Sequence, residues 1–333
     1  MMVDLALIWA GLIAFSVFAY VVLDGFDLGI GILFPLFKGR DRDVAMNSIA
    51  PVWDGNETWL VLGGGGLMAV FPVVYATVLP ALYAPLIAML LALIFRGVAF
   101  EFRWRTKRGR SWWDAGFFGG SLIASFMQGI ALGALVQGIV IEDRAYAGGW
   151  WDWLTPFSLL TGVALATGYA LLGSTWLVMK TTGNLRDIAQ KVARLSALGM
   201  LTLIGAVSLW TPFLNPIYLE RWFKWPTMLF SGIVPVLVLA CFWWLWRSLS
   251  AQRDTAPFLA ALGLFALSFT GLGISFFPYI VPGALTIQEA AAPPESLGFL
   301  LAGAVVLVPI ILIYTAYAYW VFRGKVDPEE GYH

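Results

Sequence analysis

Long apolar runs follow one another along almost the whole chain, and they limit the fold more than any other feature. A helix needs about 20 mostly apolar residues to cross a membrane. Nine such stretches can be read, at about residues 5–25, 55–73, 75–99, 116–141, 154–180, 194–213, 227–248, 257–280 and 298–322. The second and third are nearly continuous, with a tight turn expected around Pro72 and Tyr75. Composition agrees: only 12% of residues are charged, against about 25% in soluble domains, and mean hydropathy is +0.82. The expected fold is therefore an all-α polytopic membrane protein, one integral membrane domain over residues 1–333. The first run is not expected to be a cleavable signal peptide, because only Asp4 precedes it, no basic segment does, and no small-residue cleavage site is clear.

Basic residues orient the spans. Lys38, Arg40 and Arg42 lie in the first connection, and Arg103, Arg105, Lys107, Arg108 and Arg110 in the third. The fifth holds or borders Lys180, Arg186, Lys191 and Arg194; the seventh has Arg247 and Arg253, and the tail Arg323 and Lys325. Sixteen of the 20 basic residues thus fall on one side, with Arg144, Arg221 and Lys224 opposite and Arg96 inside the third span. This places the odd connections and the C-terminus in the cytoplasm and the N-terminus outside, on the periplasmic face. It also supports an odd number of spans.

The glycine run Gly63-Gly64-Gly65-Gly66 reads as close helix packing, with a gas or cofactor passage along bare backbone as the alternative. Tryptophans cluster near span ends, at Trp112-Trp113, Trp150-Trp151-Trp153 and Trp243-Trp244-Trp246, as an interfacial belt does. The single cysteine, Cys241, rules out an internal disulfide and a Cys-based metal site and reads as a small buried hydrophobe.

Against this background the acids between Leu23 and Trp59 stand out. Asp24, Asp27, Asp54 and Glu57 border two apolar runs, where a carboxylate costs a few kcal/mol or more. The topology puts all four at the cytoplasmic ends of the first two spans, with Arg96 and Glu101 of the third at the same depth. Asp24 and Asp27 are three residues apart and share a helix face, as do Asp54 and Glu57. Arg96 and Glu101, five apart, point differently, which frees Arg96 to pair with an acid from a neighbouring span. With several acids against one base, at least one is expected to hold a proton at neutral pH. Structural readings remain: Asp54 or Glu57 could stabilise a helix start, and Asp24 and Asp27, flanking Gly25, could stabilise a break in the first helix.

Absences narrow the chemistry. The only histidine is His333, so the core offers no imidazole for a bis-His haem or a copper site, and the nine methionines could add at most a weak axial ligand. There is no phosphate-binding loop, dinucleotide fingerprint or nucleophile elbow, and the zero net charge carries no nucleic-acid signature.

Three motifs then carry a resemblance. Asp24-Gly25-Phe26-Asp27-Leu28-Gly29-Ile30-Gly31, the run from Asn47 through Ala50-Pro51-Val52-Trp53-Asp54-Gly55-Asn56-Glu57-Thr58-Trp59-Leu60, and Phe95-Arg96-Gly97-Val98-Ala99-Phe100-Glu101 resemble subunit II of the cytochrome bd-type quinol oxidases. The match is specific over about the first 105 residues; beyond them it rests on span count, Phe277-Pro278-Tyr279 and total length. The compact later connections resemble the cyanide-insensitive branch.

The resemblance implies two four-helix bundles (1–141 and 154–280) plus a peripheral helix (298–322), in the bacterial inner membrane. It implies a complex that oxidises quinol and reduces dioxygen to water, with two haem b and one haem d, or a third haem b, held by a partner subunit I. By position, Asp54 would deliver protons, Asp24 and Asp27 would line the same entrance, and Trp59 would border a dioxygen route. Glu57 would join the proton path, with Arg96 and Glu101 tuning its charge. This chain would carry no catalytic residue and no haem or metal ligand. A structural quinone or lipid and a small single-helix accessory subunit are compatible with it. The rival readings are a stand-alone proton-coupled transporter and a purely structural scaffold.

Overall fold

The computed structural model describes residues 4–327; His333 lies outside them. The chain is almost wholly helical. Asp4 accepts a hydrogen bond from the Leu7 amide and caps α1 (Leu5–Leu33), which runs through a one-turn 3₁₀ segment into the short α2 (Arg40–Asn47). Then come α3 (Trp53–Val70), α4 (Pro72–Ala81), α5 (Tyr83–Arg105) and α6 (Arg110–Gln137). A small hairpin of β1 (Ile141–Glu142) and β2 (Ala145–Tyr146) leads to α7 (Pro156–Lys180), capped by the reciprocal Thr155–Ser158 pair. The chain continues through α8 (Gly183–Trp210), α9 (Pro216–Phe223), α10 (Thr227–Ser250) and α11 (Ala256–Phe276). A second hairpin, β3 (Tyr279–Val281) and β4 (Leu285–Thr286), precedes α12 (Ile287–Ala290) and α13 (Pro294–Val321).

Among the described residues eight helices are long and apolar enough to cross a membrane, and nine if α3 and α4 count as one bent span. One expectation needs correction. The second and third spans do not meet in a tight turn around Pro72 and Tyr75. The chain instead bends by 119° after Val70, runs through α4, and starts α5 only at Tyr83. Pro72 explains the restart, since a proline without an N–H suits a first helical position. Nor does the first helix show the break at Gly25 that is the alternative reading of Asp24 and Asp27. It continues unbroken to Leu33, 29 residues in all, or about 44 Å at 1.5 Å per residue. That exceeds the hydrocarbon thickness of about 30 Å, so a straight helix of this length would extend beyond the core.

Helix α1 is the centre of the packing, lying against α3, α6 and α7. Its crossing with α7 is a backbone contact: a Cβ on Gly29 would collide with the Tyr169 carbonyl, and one on Gly173 with the backbone of Gly29. Nearby, Phe26 stacks on Trp176 with ring centroids 4.1 Å apart, and Phe258 meets both rings edge-on. On one flank α5 packs on α6; on the other α7, α8, α10 and α11 form a closed ring of neighbours. Helix α13 lies at the periphery, with Leu297 its one buried residue among those described.

The glycine run divides. Gly63 and Gly66 face Val17 and Ile13 of α1, whereas side chains added at Gly64 and Gly65 would meet nothing within 4 Å. Trp112, Trp150, Trp151, Trp243 and Trp244 are exposed, whereas Trp113, Trp153 and Trp246 are partly buried. Cys241 is half-buried between α10 and α11, its thiol directed at the Ala260 carbonyl.

Candidate functional site

Four of the ionisable residues meet at one point. Arg96, on α5, is fully buried. Its Nη1 donates to Asp24 Oδ1 of α1 and to Glu57 Oε1 of α3, each at 2.7 Å. Its Nη2 lies 4.0 Å from Asp27 Oδ2, and the guanidinium sits over the Trp53 ring, 5.8 Å from its centroid. Three consecutive long helices therefore each send a charged group to one buried centre. An unpaired buried guanidinium would cost several kcal/mol, so the pairing accounts for its presence there.

Burial is graded across the cluster. The Glu57 side chain is 30% exposed, that of Arg96 1%, and those of Asp24 and Asp27 are fully enclosed. Asp54, one turn before Glu57, is exposed in the first turn of α3, where the helix dipole favours an acid. Glu101 is partly buried and makes no hydrogen bond or ion pair with any described residue. The expected convergence of six ionisable residues is thus four, with Asp54 outside and Glu101 turned away. The five-residue spacing from Arg96 accounts for Glu101.

Uncharged polar residues extend the cluster along two lines that sequence reasoning missed. Asn56 Nδ2 donates to Asp27 Oδ2 at 2.7 Å and to the Leu23 carbonyl at 3.2 Å, while Asn56 Oδ1 accepts from the Tyr319 hydroxyl at 2.9 Å. Tyr20, one helical turn before Asp24, accepts from Gln128 Nε2 at 2.8 Å, and Gln128 Oε1 accepts from the buried Tyr169 hydroxyl at 2.7 Å. Asn56 could have been noticed as an amide on the face of an apolar span. Nothing local marks Tyr20, Gln128, Tyr169 or Tyr319.

Trp59 is buried beside Ala19 and Tyr20, with Phe15 edge-on at 5.6 Å. Above it, α1, α3 and α13 enclose an apolar cleft of about 530 Å³, lined in part by Ile13, Gly65, Gly66 and Gly303. Among the described residues no group of three His, Cys, Asp or Glu side chains is arranged to hold a metal ion. With histidine missing from these residues as well, the side chains present do not fit a haem.

Residues 5–322 match the family of cytochrome bd terminal oxidase subunit II. The chain belongs to that family. It is 32% identical to cytochrome bd-I ubiquinol oxidase subunit 2 of Escherichia coli (strain K12), over 98% of this chain and 96% of the relative. It is 31% identical to cytochrome bd ubiquinol oxidase subunit 2 of Bacillus subtilis (strain 168), over 97% of each. Its fold matches a chain of the bd oxidase of Geobacillus thermodenitrificans with a TM-score of 0.73 at 20% identity, covering 96% of this chain and 99% of that one. As a cytochrome bd subunit II, it is a multi-pass component of a respiratory-chain oxidoreductase complex in the bacterial inner membrane. Family membership implies a partner subunit I and haem within the complex.

Proposed function

We propose that this chain is the haem-free half of a quinol:dioxygen oxidoreductase and supplies its partner with a proton entrance. Protons would be collected at the exposed Asp54, pass to Glu57, and reach Asp24 and Asp27 beside Arg96. The observation that carries this reading is the Glu57–Arg96–Asp24 bridge: one guanidinium joins a carboxyl that water can reach to one that it cannot. Three acids face one base, so two protons would be needed to neutralise the cluster, and a proton held there is the kind the entrance would pass on.

In this reading the basic end of the bundle is cytoplasmic, following the lysine and arginine asymmetry. Residues 1–141 and 154–280 act as two four-helix units, with 298–322 at the side. Haems b and d, or a third haem b, are held by subunit I, and Trp59 lies beside the dioxygen route. A quinone or lipid in a structural role and a small accessory subunit would be bound at the periphery. Glu101 would act on the cluster only at a distance.

The test uses the purified two-subunit complex. Asp54→Asn and Glu57→Gln are expected to lower oxidase turnover strongly while leaving haem content intact. Wild-type turnover in both overturns the entrance. Loss of haem with turnover per haem preserved favours a scaffold instead, and a stable chain that purifies without any haem partner favours a transporter.

A further inference from the structure

Helix α13 reaches the charged cluster through the Tyr319 hydroxyl. Tyr319 on α13 donates to Asn56 Oδ1, while the two acceptors on the other side of Asn56 settle which way its amide faces. Turned as it is, the amide nitrogen donates to both Asp27 Oδ2 and the Leu23 carbonyl. Rotated by half a turn, its oxygen would face a carboxylate and a carbonyl, both of them acceptors. The Leu23 carbonyl and the Tyr319 hydroxyl therefore hold the amide from opposite sides. As a result Asp27 Oδ2 is committed to Asn56, and Oδ1, which is buried and has no hydrogen-bond partner among the described residues, is the oxygen that would exchange a proton in the proposed entrance.

We infer that Tyr319 is a positioning residue for Asp27, acting through Asn56, and that α13 belongs functionally to the proton site although it lies at the edge of the fold. The inference rests on the proton-entrance reading above. The attachment of α13 supports it. Near its start, Trp9 Nε1 donates to the Leu297 carbonyl at 3.0 Å. Past its end, a strap of residues 322–326 is tied to α7 and to the α10–α11 turn. Lys180 Nζ donates to the carbonyls of Phe322 and Gly324, and the Val326 amide donates to the Lys180 carbonyl at 2.8 Å. Lys325 Nζ pairs with Asp254 Oδ2 at 2.8 Å. Between these anchors the apolar cleft separates much of the helix from α1 and α3. Tyr319 sits within one turn of the strap, with its ring edge-on to Phe26 and Trp176. The strap thus places the Tyr319 hydroxyl, the polar group through which α13 meets Asn56.

Tyr319→Phe keeps both ring contacts and removes only the hydroxyl. In the purified complex, turnover per haem is expected to fall by about five-fold, the worth of one neutral hydrogen bond. The infrared band of the Asp27 carboxyl, identified by its loss in Asp27→Asn, is expected to move. Lys325→Met, which loosens the strap, is expected to move the same band by less. If Asp27→Asn is impaired but Tyr319→Phe shows wild-type turnover and an unmoved band, the positioning role is overturned and the entrance stands. If Asp27→Asn itself leaves turnover unchanged, the entrance reading fails as well. If Tyr319→Phe lowers turnover while the band stays put, the hydroxyl acts elsewhere and the inference is likewise overturned.

Discussion

Arg96 Nη1 lies 2.7 Å from Asp24 Oδ1, although 72 residues separate the two, and neither side chain is exposed to solvent by more than 1%. Removing one member of such a pair is worse than never having built it, because the other charge stays buried alone. Arg96→Gln is therefore expected to destabilise by about 3–5 kcal/mol, read as lost assembly or a lower Tm. Asp24→Asn in the same chain should restore part of the loss. Arg96→Lys should fall between, since it keeps the charge but loses the second arm of the fork, Nη2, that faces Asp27.

The second ion network, at the ends of α5 and α6, predicts a ranking. Arg103 bridges Asp43 at 2.7 Å and Asp114 at 2.5 Å, while Arg42 also pairs with Asp114 and Arg110 with Asp43. Arg103 is 2% exposed and Arg110 39%. Arg103→Ala should lower Tm clearly. Arg110→Ala should cost about 1 kcal/mol or less, as exposed pairs do. Equal shifts in thermal unfolding would contradict the ranking.

Overpacking at the α1–α7 crossing gives a third expectation. Gly29→Ala or Gly173→Ala would press a methyl into opposing backbone, and backbone cannot swing aside as a side chain does. A loss of about 1–3 kcal/mol or more is expected. The control is Gly64→Ala, where nothing lies within 4 Å, and it should leave the yield of folded chain unchanged.

The strap should loosen in acid. A hydrogen bond from Lys325, helped by Arg186, holds the Asp254 carboxyl below its usual range despite some burial. A depressed folded value means the stabilisation is complete above the unfolded carboxyl's value of about 3.9. It is then lost as pH falls through the lower folded value. Because the pair is well exposed, the effect is small. Hydrogen exchange at the Val326 amide, corrected for intrinsic rate, should speed up below about pH 4. In Asp254→Asn it should already be slightly faster than in the parent chain at neutral pH.

The sequence showed the order of the spans, the crowding of basic residues at one end and the three helices that supply the charged cluster, since long apolar runs and charge are local signals. It did not show that α1 runs on to Leu33. Asp24 and Asp27 end the apolar stretch on paper, yet the helix continues because its compensating charge comes from α5. The bend into α4 escaped for the opposite reason, as residues 72–81 are as apolar as a span. The Asn56–Tyr319 bond spans 263 residues, and neither residue has a neighbour in sequence that announces it. Asp54 looked equivalent to Glu57 by spacing; what separates them is that only Glu57 lies within reach of Arg96.

Gly29 fixes more than a distance. Where two backbones touch without side chains between them, neither helix can turn about its own axis without a collision. Asp27 lies two residues before that contact and Asp24 five. The azimuth of both carboxyls is therefore held by main chain rather than by the charges they meet. In the proton-entrance reading proposed above, a proton would arrive or leave without the pair swinging away from Arg96.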